Sequence, residues 1–141
     1  MDRSENMRAI RSKDTLPEMA VRSLIHSLGY RFRLHRRDLP GKPDLAFPAR
    51  HKVIFVHGCF WHGHDCSLFR LPGTRQEFWR KKIGGNRTND ARVMKILQSE
   101  GWRIGIVWEC AIRGAKKDIN RVACHLREWL HSGKPFMEEK G

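Results

Sequence analysis

The sequence predicts an α/β fold built on a mixed β-sheet, and three observations support that prediction. Helical and strand-like segments follow one another in the order helix, several strands, helix, strand, helix. The apolar residues of the strand-like segment 52–56 run together without alternation, which is typical of a buried strand, and residues 102–108 are a further strand candidate. The length of 141 residues, with no internal repeat or linker, suits a single domain spanning residues 1–141.

The chain begins with a polar, basic segment, residues 1–13, whose few apolar side chains predict an arm or a short helix. A helix is predicted next, because Thr15 and Glu18 have the spacing of a capping box and Gly29 is a typical helix end. The buried stripe of this helix is predicted to be Val21, Leu24, Ile25 and Leu28.

Three strands are predicted before the next helix. Residues 30–34 and 44–47 are short strand candidates, separated by the turn-forming residues 39–43. Residues 52–56 predict a fully buried strand, because their apolar side chains run together.

The second half of the chain predicts two helical segments, a strand and a closing helix. Residues 75–83 and 90–100 have helical periodicity, and we expect the two glycines at 84–85 to break the helix between them. Residues 102–108 predict a strand, and residues 117–130 predict an amphipathic closing helix.

The charge of the chain indicates the class of its partner. The formal net charge is +13 and the pI is about 10.4, with cationic side chains spread along the sequence instead of collected in one tail. This distribution predicts that the folded body binds a polyanion, and nucleic acid is the expected one. A basic protein without such a partner remains the alternative.

The apolar pattern gives no support for a membrane protein. No apolar run approaches the roughly 18 residues of a membrane span, and the first residues lack the apolar centre of a signal peptide. We therefore expect a cytoplasmic location, where thiols stay reduced and four cysteines are better explained as metal ligands than as disulfides.

Cysteine and histidine are concentrated directly after the strand at 52–56. Cys59, His64 and Cys66 lie close enough to bind one ion from a single loop, and Cys110 follows a second predicted strand. A Cys₃His set suits tetrahedral zinc and leaves no open position, so the predicted zinc is structural. The alternative is that these cysteines are buried thiols, as we expect for Cys124 in the closing helix.

If His64 binds zinc, His57 and His62 remain for other chemistry. A neutral imidazole can take a proton from water near neutral pH, and a carboxylate normally orients such a base. The alternative is that both histidines are hydrogen-bonded structural residues.

Three acidic residues are candidates to complete such a site. Asp44 lies at a turn-to-strand junction and could hold a hard cation, or it could form an ordinary Asx turn. Glu18 shares the inward stripe of its helix, although the capping box also explains a Glu there. Asp90 precedes an apolar stripe, although an acid is also favourable in a first helical turn.

Several of these segments together resemble the very short patch repair endonucleases, over residues 6–114. The segments that carry the resemblance are NMRAI at 6–10, LPGKPD at 39–44, HGCFWH at 57–62, EFW at 77–79, KIG at 82–84, GWR at 101–103 and WEC at 108–110. The resemblance implies a restriction-endonuclease-like fold. It also implies a bacterial, nucleoid-associated enzyme that nicks one DNA strand beside a thymine–guanine mismatch left by deamination of 5-methylcytosine.

The resemblance also implies roles for the candidate catalytic residues. Asp44 and the backbone carbonyl of Val56 correspond to ligands of a catalytic Mg²⁺. His62 corresponds to the general base and Asp90 to the acid that orients it. The remaining residues of the implied catalytic centre are His57 and Glu18.

Zinc ligands and DNA-contacting side chains are implied as well. The implied ligands of the structural Zn²⁺ are Cys59, His64, Cys66 and Cys110. The implied side chains that intercalate beside the mismatch are Phe60, Trp61, Trp79 and, from the N-terminal segment, Met7. Unstacking costs least at a mismatch, so insertion would favour mismatched DNA. For Trp79, core packing is the alternative.

The chain departs from the wider nuclease superfamily at the buried strand. Phe55 and His57 occupy positions where that superfamily has an acid and a lysine, so the Mg²⁺ site should have few protein ligands and several waters. Val56 stands where a Thr can occur in the repair family, a change that a backbone carbonyl ligand tolerates.

The expected partner is therefore duplex DNA with a T:G mismatch, bound by a monomer. A functional link to a cytosine-5 methyltransferase or to mismatch-repair proteins is open. Two alternatives also remain. One is a non-catalytic, zinc-stabilised DNA-binding module, and the other is a sequence-specific endonuclease that acts on unmismatched duplex.

Overall fold

The architecture is a five-stranded mixed sheet with helices on both faces. A computed structural model of the chain describes residues 15–34, 36, 38–64, 71, 73–113 and 118–140. The strands are β1 (Arg33–Leu34), β2 (Leu45–Phe47), β3 (Lys52–His57), β4 (Arg103–Trp108) and β5 (Phe136–Glu139). The helices are α1 (Leu16–Ser27), α2 (Gln76–Ser99), α3 (Glu109–Arg113) and α4 (Ile119–His131), with a 3₁₀ turn at Pro48–Arg50.

The strands lie in sequence order, which brings the ends of β3 and β4 together. β1, β2 and β3 pair antiparallel, whereas β3–β4 and β4–β5 pair parallel. In the β3–β4 register His57 is opposite Trp108, so the last residue of each strand faces the other. The mixed sheet with flanking helices confirms the predicted α/β class, and the arrangement is consistent with a restriction-endonuclease-like fold.

Each face of the sheet has its own apolar core, because side chains alternate along each strand. One face packs against α1 and α4. The buried side chains there include Val21, Ile25, Ile54, Val107, Leu126 and Trp129. The other face packs against α2. Its buried side chains include Val53, Phe55, Val93, Leu97, Ile104 and Ile106.

The predicted break at Gly84 and Gly85 is wrong, because α2 runs without interruption from Gln76 to Ser99. A glycine costs about 1 kcal/mol in a helix interior, and the burial of side chains on both sides of the pair outweighs that cost. The buried side chains of α2 are Trp79, Ile83, Val93 and Leu97. Asp90 consequently lies in the helix interior and not in a first turn.

Several boundaries also differ from the prediction. The first strand contains only Arg33–Leu34 of the predicted residues 30–34, because this exposed edge pairs briefly with β2. Sequence patterning missed α3 and β5, since the first is a single short turn and the second is a half-charged edge strand.

The closing helix begins with Asp118 as N-cap, and its apolar stripe faces the sheet. The prediction that Cys124 is buried is wrong, because Cys124 lies on the opposite side of α4 and is exposed. The helix start predicted at 117 lies outside the described residues, as do the N-terminal segment 1–13 with Met7, and Cys66. Among the described residues, no helix is long and apolar enough to cross a bilayer.

Candidate active site and metal site

The loop at residues 58–64 leaves the end of β3 as a set of tight turns packed on α2. The amide of His64 donates to the carbonyl of Cys59 at 2.9 Å, and the amide of His62 donates to Gly58 at 3.2 Å. Gly63 has a φ of +62°, and a Cβ there would lie 2.7 Å from Ile83 of α2. Glycine therefore allows the loop to approach the helix.

A side chain of α2 also stabilises this loop by a hydrogen bond. The side-chain amide of Asn86 donates a 2.8 Å hydrogen bond to the carbonyl of Trp61. Because Asn86 sits one helical turn from Asp90, this bond also fixes the loop relative to that acid. The sequence analysis did not single out Asn86.

Three of the four predicted zinc ligands come together. The Nδ1 atom of His64 lies 3.5 Å from Sγ of Cys59 and 3.4 Å from Sγ of Cys110. All three ligand atoms lie within 4.8 Å of one another, and Cys110 reaches them from α3 at the end of β4. Two thiols and one imidazole at this spacing fit the donor set of zinc.

His62 is held by the acid predicted to orient it. Its Nδ1 atom lies 2.5 Å from Oδ2 of Asp90, and both side chains are about four-fifths buried. Because Asp90 engages Nδ1, the Nε2 atom remains available to accept a proton. The mid-helix position of Asp90 replaces the first-turn alternative.

His57 lies parallel to His62, with ring centroids 3.9 Å apart and an interplanar angle of 4°. The nitrogen lone pairs of parallel rings do not converge. This geometry therefore favours a base and its neighbour over a metal site formed by His57, His62 and Asp90. Burial, with a smaller contribution from the neighbouring His62, lowers the pKa of His57 to about 3. His57 is thus neutral at pH 7, and no described residue bonds its buried Nδ1.

The partly buried Asp44 and the buried Glu18 form an acidic pair. Oδ2 of Asp44 accepts a 2.7 Å hydrogen bond from the amide of Val56, twelve residues away, and this replaces the Asx-turn alternative. Burial, together with a hydrogen bond and charge repulsion from Glu18, raises the pKa of Asp44 to about 8. Arg22 bonds the carboxylate of Glu18.

The acidic pair fits a hard cation. Two carboxyl groups that share a buried space cannot both ionise cheaply, and a divalent cation would relieve that cost. The amide of Glu18 donates to Oγ1 of Thr15 at 3.3 Å, which confirms the N-cap. Its carboxylate, however, bonds Arg22 four residues along, so capping does not account for its side chain.

Phe60, Trp61 and Trp79 form one aromatic cluster beside the candidate active site. Phe60 and Trp61 are half-buried, and each ring contacts Trp79 edge-on at 5.5 and 5.8 Å. Trp79 is only 5% exposed, which agrees with the core-packing alternative. Its neighbour Phe78 is 47% exposed, and the guanidinium of Arg75 lies 4.4 Å from the Phe78 ring centre.

Two further residues of the candidate site, Arg22 and Trp108, were not predicted from the sequence. Arg22 stands four residues after Glu18, a spacing that predicts a helix ion pair. Trp108 ends β4, and the parallel pairing of the two apolar strands would have placed it beside His57. Trp108 could therefore be identified only from the register of β3 and β4, which the sequence alone does not provide.

Comparison with known proteins adds an independent line of information. The family model described as DNA mismatch endonuclease Vsr matches residues 1–68. The chain is 52% identical to the Type II nicking enzyme V.XorIIP of Xanthomonas oryzae pv. oryzae, covering 88% of each chain. It is 48% identical to the DNA mismatch endonuclease Vsr of Escherichia coli, over 91% of this chain and 83% of that one. It is 33% identical to the Type II nicking enzyme V.NmeAIP of Neisseria meningitidis, over 89% and 92%.

Proposed function

The chain belongs to the family of the DNA mismatch endonuclease Vsr, and from this membership we propose that it nicks one strand of duplex DNA beside a thymine–guanine mismatch. The observation that supports catalysis most directly is the His62–Asp90 pair at 2.5 Å. His62 stacks on His57 at the end of β3, and Asp44, the partner of Glu18, accepts a hydrogen bond from the residue preceding His57, Val56. Together these groups provide a base for water and an acidic site for a cation, the two requirements of phosphodiester hydrolysis.

In the proposed reaction His62 accepts the proton of the attacking water on Nε2. Asp90 holds the imidazole by Nδ1 and stabilises the imidazolium that forms. His57 stays uncharged because it is buried, so it supports His62 by stacking without adding a second positive charge.

Asp44 is the proposed protein ligand of Mg²⁺, together with the backbone carbonyl of Val56. Bound Mg²⁺ would polarise the phosphate and neutralise the developing charge. Glu18 completes the acidic pair, and Arg22 sets the position of its carboxylate. The hydrogen bond from the Val56 amide fixes the rotamer of Asp44.

Zinc is the proposed brace of the loop at 58–64. Cys59, His64 and Cys110 would bind it together with Cys66, which lies outside the described residues. A closed set of four protein ligands would make this zinc structural. Bound zinc would hold His62 and the two half-buried aromatic side chains, Phe60 and Trp61, at fixed positions relative to one another.

Phe60 and Trp61 are the proposed wedge at the mismatch. The proposed phosphate contacts are exposed cationic side chains of α2, namely Arg80, Lys81, Lys82 and Arg87. The cluster with Trp79 gives the wedge a rigid apolar support. Unstacking costs a few kcal/mol and least at a mismatch, which favours T:G over C:G duplex. Deaminated 5-methylcytosine is the proposed origin of the substrate, and the proposed link to a cytosine-5 methyltransferase rests on that chemistry.

A labelled duplex with one T:G mismatch tests the proposal. We expect Mg²⁺-dependent nicking of one strand, and the same flanking sequence with C:G should remain intact. His62→Ala should lower the nicking rate about 10²- to 10⁴-fold, the usual contribution of a general base. His125→Ala is the matched control, because His125 also pairs with an acid, Glu139, but on the other side of the sheet.

Two outcomes would contradict the proposal. Equal cleavage of T:G and C:G duplex would favour a sequence-specific nuclease, which the names of the nicking relatives suggest only loosely. Binding without nicking by the wild-type protein would favour a non-catalytic DNA-binding module.

A further inference from the structure

Trp108 lies between the candidate zinc ligands and the candidate catalytic histidines. Its ring stacks on His64 with centroids 4.1 Å apart and an interplanar angle of 10°. Its ring also meets His57 edge-on at 5.0 Å, and the His62 ring lies 6.2 Å away. A continuous series of ring contacts therefore leads from the zinc ligand to the proposed base.

The orientation of Trp108 is fixed by a residue on the edge strand. The indole Nε1–H donates a 2.7 Å hydrogen bond to Oε2 of Glu138 on β5. Glu138 pairs with Ile106, so it shares a sheet face with Ile106 and with Trp108 two residues further along. The ring itself is 8% exposed, whereas Glu138 is exposed.

Ring packing alone does not explain this hydrogen bond. A buried tryptophan needs a partner for its N–H, but any acceptor would meet that need. Here the acceptor is an ionisable side chain on the last strand of the sheet, and the bond prevents rotation of the indole about its own side-chain bonds. A tilt of that plane would change the packing of both His64 and His57, which contact the ring.

We infer that Trp108, anchored by Glu138, is a positioning residue that sets the placement of the His57–His62 pair relative to the zinc-bound loop. The inference rests on the proposed nuclease function. It adds β5 to the active site, although no residue of β5 lies among the candidate catalytic residues. A displacement of about 1 Å in a reacting group can cost about 10²-fold in rate, so a small tilt has a large effect.

Variants of Glu138 test the inference with little change in burial. In single-turnover nicking with zinc-loaded enzyme in excess, we expect Glu138→Ala to lower the rate constant about 10-fold or more, with unchanged Kd for the T:G duplex. Glu138→Gln keeps an acceptor for the indole and should restore the wild-type rate. Trp108→Phe removes the N–H and should lower the rate similarly. The double variant Glu138→Ala/Trp108→Phe should lose no more than Trp108→Phe alone.

Glu139→Ala is the matched control on the same strand. Glu139 lies on the opposite sheet face, where it bonds His125 at 2.5 Å, so its loss should lower stability without lowering the saturated nicking rate. Equal rate losses in Glu138→Ala and Glu139→Ala, additive losses in the double variant, or failure of Glu138→Gln to restore the rate would each overturn the inference.

A second measurement does not require activity. The ring-proton NMR shifts of His57, His62 and His64 report their placement against the indole in the zinc-loaded protein. We expect Glu138→Gln to reproduce the wild-type shifts and Glu138→Ala to move those of all three rings. If the wild-type protein nicks no duplex, the proposed function fails while these shifts still decide the positioning role. Unchanged shifts in Glu138→Ala would overturn the inference even in an active nuclease.

Discussion

Buried polar side chains on the two faces of the sheet differ in how completely they are hydrogen-bonded. On the face covered by α1 and α4, a buried cation is fully satisfied, because Lys52 Nζ donates to the carbonyls of Trp129, Leu130 and Ser132 at 2.6 to 2.9 Å. On the α2 face, His57 is buried with no described partner for Nδ1.

The difference separates a stabilising region around Lys52 from a reactive region at the strand ends, to which α1 also contributes through Glu18. Lys52 caps the last turn of α4, where its charge complements the helix dipole and every donor has an acceptor. Nδ1 of His57 is buried with no described partner, and at the neighbouring strand end burial and Glu18 raise the pKa of Asp44. Such groups are typical of sites that complete their interactions with a ligand.

The largest expected effect comes from removing the charge of Asp44. Asp44→Asn should lower the rate of Mg²⁺-dependent nicking by about 10³-fold or more. The same change should raise the free energy of unfolding of the metal-free protein at pH 7, by about 1–2 kcal/mol. Nicking assays and urea denaturation measure the two effects. A variant that loses activity and stability together would contradict the assignment of Asp44 to the reactive region.

The pH dependence of Asp44 follows from the direction of its pKa. Burial raises the pKa from 3.8 to about 8, so between these values the unfolded chain has released a proton that the folded chain retains. Stability conferred by this group is therefore lost as pH rises from about 4 to about 8. Urea denaturation of the metal-free wild-type protein should show this decline, and Asp44→Asn should show a smaller one.

Removal of the proposed zinc should have the next largest effect. We expect about one zinc ion per chain. Cys110→Ser should lower Tm by about 10 °C or more, corresponding to about 3 kcal/mol for a domain of this size, or prevent folding. Metal analysis and thermal unfolding test this, with the exposed Cys124→Ser as the control. A metal-free wild-type protein of equal stability would refute the zinc site.

Lys52 tests the stabilising face alone. Lys52→Met should lower the free energy of unfolding by about 2–4 kcal/mol, because it leaves the C-terminal carbonyls of α4 without their donor. The fraction that remains folded should nick at the wild-type rate. The exposed Lys134→Met is the control, and an equal loss of stability there would contradict the capping role.

Substitution of the two glycines of α2 should have the smallest effect on the free energy of unfolding. At Gly84 and at Gly85 a Cβ atom would meet no neighbour within 4 Å, so alanine at each should raise the free energy of unfolding by about 1 kcal/mol. Gly63→Ala should do the opposite, since its positive φ and the nearby Ile83 oppose a side chain. Equal effects at all three positions in urea denaturation would contradict this contrast.

Much of the site could be predicted from sequence because its residues are close together along the chain. Cys59, His62 and His64 share one loop, and the capping spacing located the start of α1. The break at Gly84–Gly85 was mispredicted because local propensity outweighed tertiary packing in the prediction. Cys124 was mispredicted because its neighbours in sequence face the core while it does not.

The α/β class, the basic charge and the clustering of candidate metal-binding and catalytic side chains follow from the sequence alone, because these depend on composition and local spacing. The contacts of Asp90 with His62, of Glu18 with Asp44, and of Trp108 with His64 and His57 exist only in the folded chain. The contact between His57 and Trp108 joins residues 51 positions apart and depends on the parallel register of β3 and β4. Register is a property of paired strands, so no single strand could have revealed it.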